Sequence, residues 1–291
     1  MPLIWRQAAS MFAGIQTQQG DYMGLQLRFP SRTGGEVPLD FIMDTASSVN
    51  IVLPDVATSL NAPRTGTTTS GGVGGTGVTA SSYEVTLGGA AMYDGTPFWQ
   101  ADVRAVVMAV PTAPGTAGLI GLTLLNACAA VALDWSVRPG TATLFPPGSS
   151  AWMARTHGLA EIPLVRVNVG LPCLSVIVNG TPALALLDTG AAFSVMNIAM
   201  GVAGDPAVEP MWVAGANGSP TAMAVAASAV DVVVEPASGL ALKGLVPLVG
   251  DLPAFTLLGL PPGKPAMILG LDALLDRPRL VLSTVAMKLW L

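Results

Sequence analysis

Residues 39–52 read LDFIMDTASSVNIV, and residues 183–196 read ALALLDTGAAFSVM. Each is an apolar run that ends in Asp-Thr, passes through small residues and becomes apolar again. Asp44 and Asp188 are separated by 144 positions. An Asp set directly after a buried apolar strand is costly unless it is hydrogen-bonded or paired. For one such motif, a capping or turn-closing Asp is the ordinary explanation. Two copies in one chain point instead to an internal duplication in which the motifs are equivalent.

Moving outward, two more features recur in the same order. GLIGLTLL (118–125) matches MILGLDALL (267–275), with Gly121 and Gly270 offset by 149. Glycine-rich stretches lie between, GGVGGTG (71–77) and VAGANGSP (213–220); Gly72 falls 28 residues after Asp44, and Gly215 falls 27 after Asp188. Three features at nearly one offset predict two lobes, residues 1–148 and 161–291, with a linker at 149–160. The linker falls in PPGSSAWMARTHGLAE (146–161), where Pro, Gly and Ser give way to the alternating IPLVRVNVG.

Composition agrees with short apolar elements broken by turns. Hydrophobic residues make up 51% of the 291, charged residues only 11%, and there are 33 Gly and 24 Pro. Strand-like segments fill both halves: YMGLQLRF, YEVTLG and ADVRAVVMAV in the first, LSVIVNG, AVDVVVE and RLVLSTVAMKLWL in the second. Helices are expected only over about 54–60, 122–129 and 271–276. The expected class is therefore all-β, bilobal, with few short helices.

Several function classes are excluded at this level. The mean hydropathy is +0.60, but the longest apolar stretch, Ala117–Leu133, has 17 residues including Thr123 and Asn126. A spanning helix needs about 20 apolar residues, so a buried core segment is expected. Net charge is −5 with Lys and Arg scattered singly, which argues against nucleic acid. Cys128 and Cys173 follow no metal or redox spacing, and the single histidine, His157, lies in the linker without a serine elbow. No metal and no cofactor are expected. Paired carboxylates also serve glycosidases, but aromatics are only 5% of the chain. Trp212 and Trp290 are read as core or cleft wall, and Asp134 and Asp272 as capping or turn residues.

The chemistry open to Asp44 and Asp188 follows from bringing them together. Two carboxyl groups a few ångströms apart share one proton and titrate in two separated steps. The ionised partner takes a proton from a water, and the protonated partner polarises a carbonyl. Thr45 and Thr189 are expected to reach backbone across the junction and lock both loops. The small residues Ala46, Ser47, Gly190 and Ala191 allow close backbone approach.

IMDTASSVNIVLP and LLDTGAAFSVM resemble the active-site loops of the aspartic peptidase superfamily, the pepsin and retropepsin group. GLIGL and MILGL resemble the segments that support those loops, through Gly121 and Gly270. The likeness runs from about residue 22 to the C-terminus. It implies a β-barrel-like bilobal fold and an endopeptidase that binds an extended peptide or protein between the lobes, under β-hairpin flaps. Gly71, Gly72, Val73, Gly74 and Gly75 then form the first flap tip, and Gly215, Ala216, Asn217 and Gly218 the second. Gly72 to Gly77 also spell the dinucleotide fingerprint G-x-G-x-x-G. That motif needs a buried strand before it and a helix after it, whereas NAPRTGTTTS precedes and VTASSYEVTLGG follows.

Two glycine-rich flaps suggest a retropepsin-like dimer fused into one chain, so a monomer is expected. Departures from the pattern are Ala46 in place of Gly, and Ala191, which lacks the hydroxyl found beside the second Asp in pepsin-like enzymes. Losing that donor predicts a less extreme acidic optimum. Tyr83 is the candidate for the flap tyrosine of pepsins. Ala46 also leaves open a non-catalytic, peptide-binding homologue. The N-terminal MPLIWRQAASMFAG lacks a signal h-region, so either the protein is not secreted by that route or a leader is missing from this chain. The compartment stays open, with a secreted, lumenal or organellar setting favoured, and a missing pro-segment or membrane anchor is a third possibility. The apolar composition and the family together suggest hydrophobic residues flanking the scissile bond.

Overall fold

The structure, a computed structural model, describes all residues except 2–3, 9–10, 13–14, 17–19, 32–33, 71–79, 93–94, 96, 101, 111, 137–139, 168–169, 215–219, 235–237, 258 and 261–262. The fold is all-β and bilobal, with three sheets that carry most of the chain.

The duplication is visible in strand order. The first lobe's sheet runs, from one side to the other, Ile4–Ala8, Gly20–Pro30, Glu36–Met43, Gly118–Ile120, Ile51–Val52, Asp102–Val107, Ala80–Gly88 and Arg64–Ser70. In the second lobe, Pro172–Val178, Thr181–Leu187, Ala266–Leu269, Val195–Met196, Leu248–Val249, Pro220–Val225 and Met211–Ala214 follow one another in the same way. The sense of pairing matches too. Gly118–Ile120 lies parallel to Glu36–Met43 and antiparallel to Ile51–Val52. Ala266–Leu269 lies parallel to Thr181–Leu187 and antiparallel to Val195–Met196. Buried short strands of this kind read as continuous apolar runs, which is why GLI and AMIL show no alternation.

A third sheet ties the lobes together. Its order is Thr141–Phe145, Ala130–Asp134, Arg279–Ser283, Lys288–Trp290 and Glu161–Pro163. Ala130–Asp134 of the first half pairs antiparallel with Arg279–Ser283 of the second, Val131 opposite Leu282. Trp290 is buried there with Phe145 and Val281, its ring 5.0 Å from that of Trp152. It is a core residue. Residues 149–160 hold the 3-10 turn Ala151–Arg155, and Ala160 already exchanges both backbone hydrogen bonds with Leu291. The carbonyl of His157 accepts a hydrogen bond from Arg279 at 2.9 Å.

Helices form at Pro54–Ser59, Leu122–Leu125 and Leu271–Leu274, near the three expected places. The second is shorter than predicted. After Leu125 the chain turns, and the Ala129 N–H donates to the Phe145 carbonyl, so sheet pairing claims the residues that helix periodicity had assigned. A further short helix, Pro253–Leu257, was not anticipated. Ala117–Leu133 becomes a strand, a helix turn and a second strand inside the core. Among the described residues no helix is long and apolar enough to cross a membrane.

Both glycine-rich segments are flanked by paired strands. Arg64–Ser70 meets Ala80–Gly88, with Ser70 opposite Ala80, and Met211–Ala214 meets Pro220–Val225, with Ala214 opposite Pro220. A strand therefore follows the G-x-G-x-x-G stretch where a dinucleotide loop needs a helix. The expected flap tips, Gly71 to Gly75 and Gly215 to Gly218, lie outside the described residues. Trp212 sits in the hairpin strand Met211–Ala214, half-buried. Tyr83 is in the body of its sheet, opposite Thr67 and Val107, with the Arg64 guanidinium 4.8 Å from its ring centroid.

Candidate active site

The two Asp-Thr loops meet at the junction of the lobes. Each Asp follows the end of a buried strand, and its N–H is held by the neighbouring parallel strand: Asp44 to the Ile120 carbonyl at 2.9 Å, Asp188 to the Leu269 carbonyl at 3.0 Å. The support beneath each loop is a glycine. A Cβ on Gly121 would stand 2.2 Å from the Val49 carbonyl oxygen and 2.6 Å from that of Ser47; on Gly270 it would stand 2.6 Å from the Phe193 carbonyl carbon. Backbone cannot yield at such distances, so the two positions exclude any side chain. The following residues pin the loops, Leu122 N–H to the Ser47 carbonyl and Leu271 N–H to the Ala191 carbonyl.

Thr45 and Thr189 cross-link the halves. The Thr45 hydroxyl donates to the Leu187 carbonyl at 2.6 Å and accepts the Thr189 N–H at 3.1 Å. Reciprocally, the Thr189 hydroxyl donates to the Met43 carbonyl at 2.7 Å and accepts the Thr45 N–H at 3.2 Å. Both threonines are fully buried. A buried carbonyl or N–H left without a partner costs about 1–3 kcal/mol. Thr45→Val strands both partners of the lost hydroxyl, so we expect a loss of about 2–4 kcal/mol in urea denaturation, with Thr189→Val alike. A loss below about 0.5 kcal/mol for both variants would show that the cross-link is idle.

The carboxyl groups of Asp44 and Asp188 are hydrogen-bonded to each other. Asp44 Oδ1 also accepts the Ala46 N–H at 2.8 Å, and Asp188 Oδ1 the Gly190 N–H at 2.9 Å. Burial pushes the Asp44 carboxyl up to about 6, against the lowering pull of the Ala46 and Ser47 N–H groups and of Asp188. Burial and then the charge of Asp44 hold Asp188 well above the carboxylate range, opposed by the N–H groups of Gly190 and Ala191. Asp188 is the more deeply enclosed of the two. One proton shared across this contact is the low-energy state, as for any two carboxylates too close to ionise together.

The small residues have distinct places. A Cβ on Gly190 would lie 2.6 Å from Asp44 Cγ, so glycine there makes room for the carboxyl group. Ala46, its counterpart, carries a methyl and is half-buried against the core. The Ser47 hydroxyl donates to the Val49 carbonyl at 2.7 Å and so closes its own loop. Asp134 accepts from the N–H and hydroxyl of Ser136, a turn role.

Three residues of the site were not singled out from sequence. Asn50 and Ser194 each lie six positions after the Asp of their half. Asn50 Oδ1 accepts the Gly121 N–H at 2.9 Å, and Ser194 Oγ accepts the Gly270 N–H at 3.0 Å. Their signal was a buried polar residue at one matched offset in otherwise apolar runs. The third is Tyr22, whose phenol senses the charge of Asp188. Asp272 does not take the expected capping role. Gly270 is the N-cap of the helix Leu271–Leu274, and Asp272, in its first turn, accepts the Ala273 N–H at 2.8 Å. It also binds the Ser194 hydroxyl at 2.6 Å and its N–H at 2.9 Å. Burial pushes its carboxyl up, against those donors.

Cys128 and Cys173 are buried free thiols, each pushed up to about 12 by desolvation. Among the described residues, no group of three or more His, Cys, Asp or Glu is placed to hold a metal ion.

No protein-family model matches this chain, and no curated protein sequence matches it. Among solved structures it is similar to basic 7S globulin from soybean, at 13% identity and TM-score 0.49, over 99% of this chain and 94% of that one. It is also similar to conglutin gamma, a basic 7S globulin from lupine seeds, at 12% identity and TM-score 0.46, over 100% of this chain and 95% of that one.

Proposed function

We propose that the protein is an aspartic endopeptidase that cleaves an extended peptide lying between its lobes. The observation that carries this is the carboxyl pair Asp44–Asp188, hydrogen-bonded at the lobe junction and locked by the reciprocal threonine contacts. In the working state Asp188, the more enclosed group, keeps the shared proton, and Asp44 is ionised. Asp44 takes a proton from a water, whose oxygen bonds to the peptide carbonyl carbon. Asp188 gives its proton to the carbonyl oxygen, so no free oxyanion forms. Collapse of the tetrahedral diol then breaks the C–N bond as the amine leaves with a proton from Asp44, and Asp188 recovers its proton from the diol.

The pH dependence follows from the same groups. As pH falls through about 6, Asp44 gains a proton and the base is lost; at higher pH Asp188 loses its proton and the acid is lost. We therefore expect kcat/KM on a fluorogenic peptide to trace a bell whose acid limb lies near the Asp44 value. Activity that stays flat down to about pH 4 would contradict this assignment.

One observation favours a second reading, a peptide binder without turnover: Ala46 puts a methyl where the other half has glycine. Incubation with a mixed peptide library between about pH 4 and 8, with and without pepstatin, separates the two. Pepstatin-sensitive cleavage supports the peptidase. Peptides retained without cleavage at any pH support the binder.

A further inference from the structure

We propose that Asp272 is a positioning residue for Asp188, tying the second Asp loop to its supporting strand through Ser194, where the first lobe uses a neutral amide. The inference rests on the peptidase reading for its kinetic consequence and on hydrogen bonds alone for its geometry. In the second lobe the loop after Asp188 and the chain after Leu269 are joined rung by rung. The Asp188 N–H donates to the Leu269 carbonyl, the Leu271 N–H to the Ala191 carbonyl and the Asp272 N–H to the Ala192 carbonyl. The Gly270 N–H donates to Ser194 Oγ at 3.0 Å. Asp272 closes the series with its side chain: Oδ1 accepts the Ser194 hydroxyl at 2.6 Å, and Oδ2 accepts the Ser194 N–H at 2.9 Å.

Among the described residues, the groups bonded to this carboxyl are all donors, since Oδ1 also accepts the Ala273 N–H at 2.8 Å. Ser194 is fully buried, so its N–H and hydroxyl need acceptors inside the fold, and both point at Asp272. Ser194 Oγ in turn fixes the Gly270 N–H, next to the Leu269 carbonyl that holds Asp188. A change at Asp272 is thereby passed on, bond by bond, to the backbone of Asp188.

The first lobe solves the same problem differently. Asn50 Oδ1 accepts the Gly121 N–H, and the Asn50 amide donates to the Arg104 carbonyl at 2.9 Å, so one side chain links the loop support to the next strand. Thr123, which matches Asp272, donates to the Ser48 carbonyl at 3.3 Å. Val246 matches Arg104, because the Leu248 N–H donates to the Ser194 carbonyl just as the Val106 N–H donates to that of Asn50. Ser194→Asn would therefore point an amide at the Val246 carbonyl.

The test measures kcat, KM and the pH profile of kcat/KM on one fluorogenic peptide, with thermal melting alongside. It compares wild type, Asp272→Asn, Ser194→Ala and the double variant Ser194→Asn/Asp272→Thr. Asp272→Asn sets a donor against a donor, and Ser194→Ala cuts the link while leaving the Asp272 carboxyl in place. Each should lower kcat about 10- to 100-fold with KM within about 2-fold of wild type, as misplacing a reacting group does. Burial is the first cause that holds Asp188 high. A loosened loop admits water, so the alkaline limb should move to lower pH while the acid limb stays. The double variant carries the first lobe's pair and should regain kcat to within about 3-fold of wild type, with the limb restored. Where a single variant fails to fold, recovery of kcat in the double variant carries the decision. Unchanged kcat in both single variants, a fall with the alkaline limb in place, or a double variant no better than the singles would overturn the proposal. If wild type cleaves no peptide, the peptidase reading fails, and amide hydrogen exchange decides the geometry. Faster exchange over residues 188–194 in Asp272→Asn and Ser194→Ala, with 44–50 unchanged, upholds the role; exchange equal to wild type removes it.

Discussion

Asp44→Asn and Asp188→Asn should each lower kcat/KM by at least about 10³-fold, because each removes a proton-transfer group that the other carboxyl cannot replace. The same substitutions should stabilise the fold at neutral pH. Asp44 has an ordinary value of 3.8 and is raised to about 6 by burial, so the folded protein binds its proton more tightly than the unfolded chain does. Stability contributed by such a group is highest in acid and falls as pH rises from 3.8 to about 6, where the buried carboxyl must finally ionise. Asn carries no such cost, and its amide oxygen can still accept the Ala46 N–H. Thermal denaturation from about pH 3 to 8 should show Asp44→Asn melting above wild type at neutral pH, with the difference shrinking towards acid. Asp188 is raised further, so its window extends higher. A variant that retains cleavage, or melts below wild type at neutral pH, would contradict the paired-carboxyl account.

Gly190→Ala is expected to be the most damaging conservative change. The added Cβ would lie 2.6 Å from Asp44 Cγ and 2.9 Å from its Oδ2. Asp44 cannot retreat without giving up the Ala46 and Ser47 N–H groups that hold it, so the carboxyl pair must open. A displacement of about 1 Å in a reacting group costs on the order of 10²-fold in rate. We expect that loss in kcat/KM, with a melting temperature lowered by the overpacking of a closed site, a penalty of about 1–3 kcal/mol. The contrast is Ala46→Gly, which removes a methyl and leaves every hydrogen bond of the loop in place. Its kcat/KM should stay within about 3-fold of wild type. If Ala46→Gly instead switches on cleavage in a wild-type protein that has none, the methyl is the block and the chain is a binder.

Much of this site was legible because it is written twice. The paired Asp-Thr motifs, the paired glycines and their common offsets located Asp44, Asp188, Thr45, Thr189, Gly121 and Gly270 without coordinates. They did so because each residue type is dictated locally: a glycine where backbone lies within 2.2 Å, a hydroxyl where a buried N–H needs a partner. Asp272 was read from sequence as a capping or turn residue, whereas it lies in the first turn of its helix and binds Ser194. Its second partner, Ser194, is 78 residues away, and no local pattern shows that contact. The helix after Gly121 was overextended for a similar reason. Its last turn is claimed by Phe145, which sheet pairing brings alongside.

The sequence by itself determined the class, the duplication and the identity of the paired aspartates. Repetition and periodicity are properties of the chain, and they survive whatever the halves do in space. The tertiary structure alone decided how the halves differ. It drew strands from both halves into one sheet through Val131 and Leu282, and enclosed Asp188 more deeply than Asp44. Those facts depend on register and burial, which arise from contacts between residues more than a hundred positions apart. A pattern read along the chain records equivalence between the lobes; the contacts across the junction break it.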